Sequence, residues 1–120
     1  MSYGFYKVVH ILGLLMLFSG LAGMIVHAAN RGQKAQNALR GALGALHGGG
    51  LILMGISGFG ILAKLGLGFP AWAMVKLGLW LVFGALASVP YRKPEWNGGL
   101  LWAAPLLGAL AGYLAFYKPF

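Results

Sequence analysis

Apolar runs alternate with short polar breaks four times along the chain. The first run extends from Phe5 to Ala29, interrupted only by Lys7, and the others cover residues 41–63, 71–89 and 100–117. Between them lie a polar break from Asn30 to Arg40, a Gly-rich turn from Lys64 to Pro70, and a second polar break from Pro90 to Gly99. Crossing about 30 Å of hydrocarbon at about 1.5 Å per residue takes roughly 20 apolar residues, so each run has the length of a membrane-spanning helix. The pattern predicts an all-α integral membrane protein, a single four-helix bundle over residues 1–120 with short loops. The apolar region of a signal peptide spans only about 7–15 residues, so the first run is expected to be a retained span. Pro70 is placed to open the third helix, the prolines and glycines of 90–99 to break the chain, and Pro105 to kink the fourth helix.

Composition sharpens this picture by exclusion. Only 8% of the residues are charged, against about 25% in a soluble domain. Cysteine is absent, which removes disulfides, thiolate nucleophiles and thiolate metal ligands. Glu95 is the one acidic residue, so paired-carboxylate catalysis and carboxylate-bound divalent metals have no residues to use. The formal charge of +8 comes mostly from residues that flank the apolar runs, where they meet lipid headgroups rather than nucleic acid. The two polar breaks share a side and carry Arg31, Lys34, Arg40, Arg92 and Lys93, against Lys7, Lys64 and Lys118 on the other. The positive-inside bias then sets both termini on the non-cytoplasmic side of a bacterial-type inner membrane. Aromatic residues such as Tyr3, Trp72, Tyr91, Trp96 and Tyr117 gather near the run ends, as interfacial belts do.

Glycine is abundant, with 21 residues, and falls into helical spacings: Gly44 with Gly48, Gly108 with Gly112, and Gly13 one heptad before Gly20. Small residues let helices approach closely in lipid, and they equally leave room for a flat cofactor between helices. Beyond Lys7 at the start of the first run, four basic or imidazole side chains fall inside the runs: His10, His27, His47 and Lys76. Such groups are costly in a bilayer, roughly 2.5–3.5 kcal/mol at mid-depth for a lysine, and are functional candidates by default. Counting along the helices sorts them by depth. His10 and Lys76 lie about five residues in from one face, while His27 and His47 sit toward the other. On the first helix His10, Gly13, Leu17, Gly20, Met24 and His27 follow the alternating three-and-four spacing of a bundle seam, and His47, Gly50, Met54 and Gly58, spaced three, four and four, share one face of the second. Histidines facing a bundle interior across from glycines are how four helices can hold a porphyrin. The competing reading makes each histidine an interfacial group bonded to a carbonyl, and Lys76 a residue that snorkels to nearby headgroups. A neutral lysine amine, by contrast, is a competent metal ligand or base.

Tyr6-Lys-Val-Val-His-Ile-Leu-Gly13, continuing to Phe18-Ser-Gly-Leu21, resembles the first-helix motif of the HemJ-type protoporphyrinogen oxidases, a family similar in pattern to the SirB and CopD membrane proteins. The stretch Trp72 to Leu79, with Val75-Lys-Leu at its centre, resembles that family's third-helix lysine motif, and Pro105 through Lys118-Pro-Phe120 its fourth helix and tail. The resemblance implies haem b held by His10 and Lys76 as axial ligands of the iron, with oxidation of protoporphyrinogen IX as the reaction. One departure is plain: Ala103-Ala104 stands where the family carries a polar Asn-Glu pair.

The leading expectation is a small membrane protein that binds haem b and serves tetrapyrrole oxidation or membrane electron transfer, as a HemJ-like oxidoreductase if it is an enzyme. His47 and His27 are secondary candidates for cofactor binding. The expected partners are the lipid bilayer, a porphyrinogen or quinone-type small molecule, and a second copy or a larger membrane complex, with no nucleic acid. The rival expectations are a cofactor-free structural or accessory subunit and a small oligomeric transporter.

Overall fold

The structure is a computed structural model, described here for residues 2–117; Lys118 and Phe120, named above for charge and for the tail motif, lie outside the described residues. Five helices follow one another: α1 (Tyr3–Ala29), α2 (Arg40–Leu65), α3 (Ala71–Leu86), the short α4 (Val89–Arg92) and α5 (Asn97–Tyr117). Among the described residues the regular structure is entirely helical, in a flattened body of 47 × 27 × 15 Å. Three stretches, Tyr3–Ala29, Arg40–Leu65 and Pro94–Tyr117, are long and apolar enough to cross a membrane; α3 is a shorter apolar helix.

Local chemistry sets the ends. Ser2 caps α1 by accepting from the Phe5 amide at 3.1 Å. Gly66, in the left-handed conformation at φ 66°, closes α2, and Gly68 repeats that conformation in the turn before Pro70. Two expected boundaries move. The third run was expected to continue as helix to Val89, but α3 stops at Leu86, because Pro90 has no N–H to bond back to the Leu86 carbonyl and carry the ladder on. Pro90 instead sits in the first turn of α4, where the missing donor costs nothing. The expected break over Asn97-Gly98-Gly99 is already helix. Asn97 is 1% exposed and donates from Nδ2 to the Pro90 carbonyl at 3.1 Å, which anchors the start of α5. Each glycine costs about 1 kcal/mol in a helix, which that anchor and the packing of α5 outweigh.

Successive long helices run antiparallel. The most extensive interface joins α1 and α2, and glycine makes it possible. A Cβ built on Gly50 would fall 2.5 Å from the Gly13 carbonyl oxygen, and one on Gly20 would fall 2.5 Å from the Leu43 oxygen and 2.7 Å from the His47 nitrogen. The two backbones touch there. The α1 seam is buried at Gly13, Leu17, Gly20 and Met24, as the spacing predicts. Leu17, Leu21 and Ile25 then meet Phe83 of α3 and Ala104 of α5 to form the main core. A second, smaller core joins Trp72 and Ala73 of α3 to Leu114 of α5. The outward faces are strongly apolar: Leu15, Ile52, Ile56 and Leu81 are each more than 60% exposed.

Candidate functional site

Alongside the two cores lies a cavity of about 580 Å³, open to the surface and within the roughly 300–1,000 Å³ of small-molecule and cofactor sites. All four long helices contribute to its wall. It reaches the surface near Tyr3, Lys7 and Phe116, all of which are exposed. His10 of α1 and Lys76 of α3 both line it, so the structure brings these two candidates onto one wall system. The remaining wall is mostly apolar, with Trp72, Trp80 and Phe83 on the α3 side.

Glycines shape the free space. A Cβ on Gly58 would meet only His10 Cε1, at 3.7 Å, and one on Gly112 would meet nothing within 4 Å. Gly108 is closed by the Phe18 ring, whose Cζ lies 2.8 Å from a Cβ placed there. Trp80 is held across the α2–α3 boundary by donating from Nε1 to the Leu51 carbonyl at 2.9 Å, and its ring rests against Gly55.

His10 is held by a residue that the sequence reading did not single out. Its Nδ1 lies 2.9 Å from Ser57 Oγ, and the Ser57 hydroxyl donates to the Leu53 carbonyl at 2.6 Å, with the Met54 carbonyl at 3.3 Å. The serine hydrogen is committed to the helix backbone, so Oγ accepts and His10 Nδ1 carries the proton. Nε2 is left with its lone pair, the protonation pattern of metal-ligating histidines whose other nitrogen donates to a neighbour. The same antiparallel register that sets Gly13 beside Met54 and Gly20 beside His47 sets His10 beside Ser57. Once that register is known, Ser57 is the hydroxyl it brings to His10.

The other two histidines end elsewhere. His47 is 4% exposed and its Nε2–H donates to the Phe83 carbonyl at 2.8 Å, tying α2 to α3. It lies level with Gly20, about two helical turns from His27, so the depth pairing of these two does not become a contact. His27 Nδ1 lies 2.6 Å from the Tyr91 hydroxyl, which also accepts from Asn37 Nδ2 at 3.2 Å. That cluster joins the end of α1 to the polar loop and to α4. Tyr91, expected only as a belt aromatic, is its centre.

The groups fit a porphyrin in chemical terms. Among the described residues no three His, Cys, Asp or Glu side chains gather to hold a bare ion, but a porphyrin supplies four nitrogens itself and asks the protein for axial donors only. An imidazole Nε2 and an amine on the wall of an apolar, glycine-widened cavity are such donors. Ala104, where the resembling family has a polar residue, is 4% exposed in the main core against Leu17, Leu21 and Phe83. Comparison with protein-family models, with curated proteins and with solved structures returned no match.

Proposed function

We propose that this chain is a four-span membrane protein that binds haem b in the cavity between its helices, through His10 and Lys76, and serves membrane electron transfer or tetrapyrrole oxidation. The observation that carries the reading is the shared wall: an imidazole with an available Nε2 and a lysine, from two different helices, line one apolar cavity of cofactor size. The membrane part rests on the apolar outer faces, which a soluble monomer would not expose to this extent, and on the three span-length helices. The side bearing Arg31, Lys34, Arg40, Arg92 and Lys93 is assigned to the cytoplasm, with both termini opposite.

In this reading haem supplies one-electron redox chemistry. His10 would supply a neutral nitrogen donor and Lys76, as its neutral amine, a second, while the mostly apolar wall would lower the local dielectric. Trp72, Trp80 and Phe83 offer flat apolar surface to a macrocycle. The resemblance to the HemJ-type family supports the same residues. The apolar setting of Ala104 favours electron carriage over proton-coupled oxidation of a porphyrinogen, since it offers no acid or base at that point. A quinone-type molecule entering from lipid would be the electron partner.

The test is an absorption spectrum of detergent-purified protein from haem-replete cells, with His10→Ala and Lys76→Met alongside. The expected result is a Soret band in the wild type that each substitution abolishes or shifts, while the protein still inserts. A well-folded, colourless wild type that takes up no added haem contradicts the reading and favours a cofactor-free accessory subunit.

A further inference from the structure

We propose that Ser57 is the positioning residue for His10, fixing its tautomer and ring plane so that Nε2 is the atom offered to the cavity. The geometry on both sides of the hydroxyl carries this. Ser57 is 0% exposed, so water does not compete for it. Its hydrogen goes to the Leu53 carbonyl at 2.6 Å, one turn back on α2, which leaves a lone pair of Oγ facing His10 Nδ1 at 2.9 Å. A serine bonded to its own helix in this way is a one-directional acceptor. Gly58, the next residue, adds no side chain on the ring's flank, and a Cβ there would only just touch Cε1. Ser57 thus orients without crowding. The Met54 carbonyl, 3.3 Å from the same hydroxyl and on the same turn of α2, is the rival acceptor.

The consequence for function rests on the haem reading. A hydrogen bond from the remote nitrogen makes the ligating nitrogen more electron-rich and restrains ring rotation, and losing such a partner typically costs roughly 10–100-fold in metal affinity. The tautomer itself does not depend on any cofactor and is measured separately.

The experiment uses full-length protein with ¹⁵N-labelled histidine in detergent micelles, recording long-range ¹H–¹⁵N correlations of the three imidazoles. His10 is identified as the pattern lost in His10→Ala. The wild type should show His10 protonated at Nδ1; Ser57→Ala should move it toward Nε2–H, and Ser57→Thr, which keeps the hydroxyl, should restore the wild-type pattern. Haem titration of the same samples should show a 10–100-fold weaker association for Ser57→Ala, rescued in Ser57→Thr. A wild-type His10 protonated at Nε2 overturns the proposal, as does an unchanged pattern in Ser57→Ala, which would hand the role to the Met54 carbonyl. A tautomer that shifts as expected in a protein that takes up no haem supports the role of Ser57 and removes the haem reading alone. Should Ser57→Ala fail to fold, the wild-type tautomer and the Ser57→Thr pattern decide.

Discussion

The seam between α1 and α2 and the cavity bounded by α3 and α5 are built from the same kind of residue to opposite ends. In the seam Gly13, Gly20 and Gly50 bring two backbones together until no Cβ fits. Around the cavity a Cβ on Gly112 would meet nothing within 4 Å and one on Gly58 only the edge of His10, so their missing side chains leave a volume empty rather than closing it. Polar groups divide in the same way. His47, at the seam, spends its Nε2–H on the Phe83 carbonyl, whereas His10, at the cavity, is bonded through Nδ1 and keeps Nε2 available. The lesson is that neither glycine spacing nor a buried histidine identifies a site; what each faces does.

Substitutions that separate closing from opening glycines test this contrast most forcefully. Gly20→Val should have the largest effect, at or beyond the upper end of the roughly 1–3 kcal/mol that overpacking costs, since rigid backbone rather than a flexible side chain meets the new atoms. Reversible unfolding in mixed micelles would measure it, and a stability equal to wild type would mean the seam is not packed as described. His47→Leu comes next. It leaves the buried Phe83 carbonyl without its donor, a loss of about 1–3 kcal/mol, with haem bound per chain unchanged. A proportional loss of haem would instead make His47 a ligand.

On the cavity side the sign of the coupling reverses. Gly112→Leu should leave the fold intact, or slightly firmer because a glycine is removed from a helix, while haem uptake falls as the side chain enters the space. Unchanged uptake would place the ligand elsewhere. The smallest effect belongs to Gly44→Ala. Nothing lies within 4 Å of a Cβ there, so stability should rise by no more than about 1 kcal/mol, the difference in helix propensity. A loss of stability would reveal a neighbour on that face.

The sequence made the four apolar runs and the α1 seam legible because both are periodicities, and periodicity reports which residues share a face. It does not report whether that face is covered. Gly44 and Gly48 share the spacing of a packing motif, yet neither has a neighbour within 4 Å of a built Cβ, while the packing falls to Gly50. Ser57, Asn97 and Tyr91 were not legible as structural partners for a related reason. Each acts through a contact fixed by inter-helix register or by the path of the 90–97 segment, where α4 and the anchored start of α5 replace a simple break. His10 and Lys76 could be set at one depth by counting from the run ends, because both lie near helix starts. The same counting paired His27 with His47, which the register separates.

The central claim is that Lys76 serves as a ligand and not as a headgroup anchor, and Lys76→Arg tests it most directly. Arginine keeps a long stem and a permanent positive charge, so it preserves snorkelling, but a guanidinium that stays protonated has no lone pair to offer a metal. The absorption spectra of oxidised and reduced Lys76→Arg, beside the wild type at equal protein concentration, are the measurement. The account predicts a lost or clearly shifted Soret band in a protein that inserts and folds normally; a haem spectrum identical to that of the wild type would contradict it.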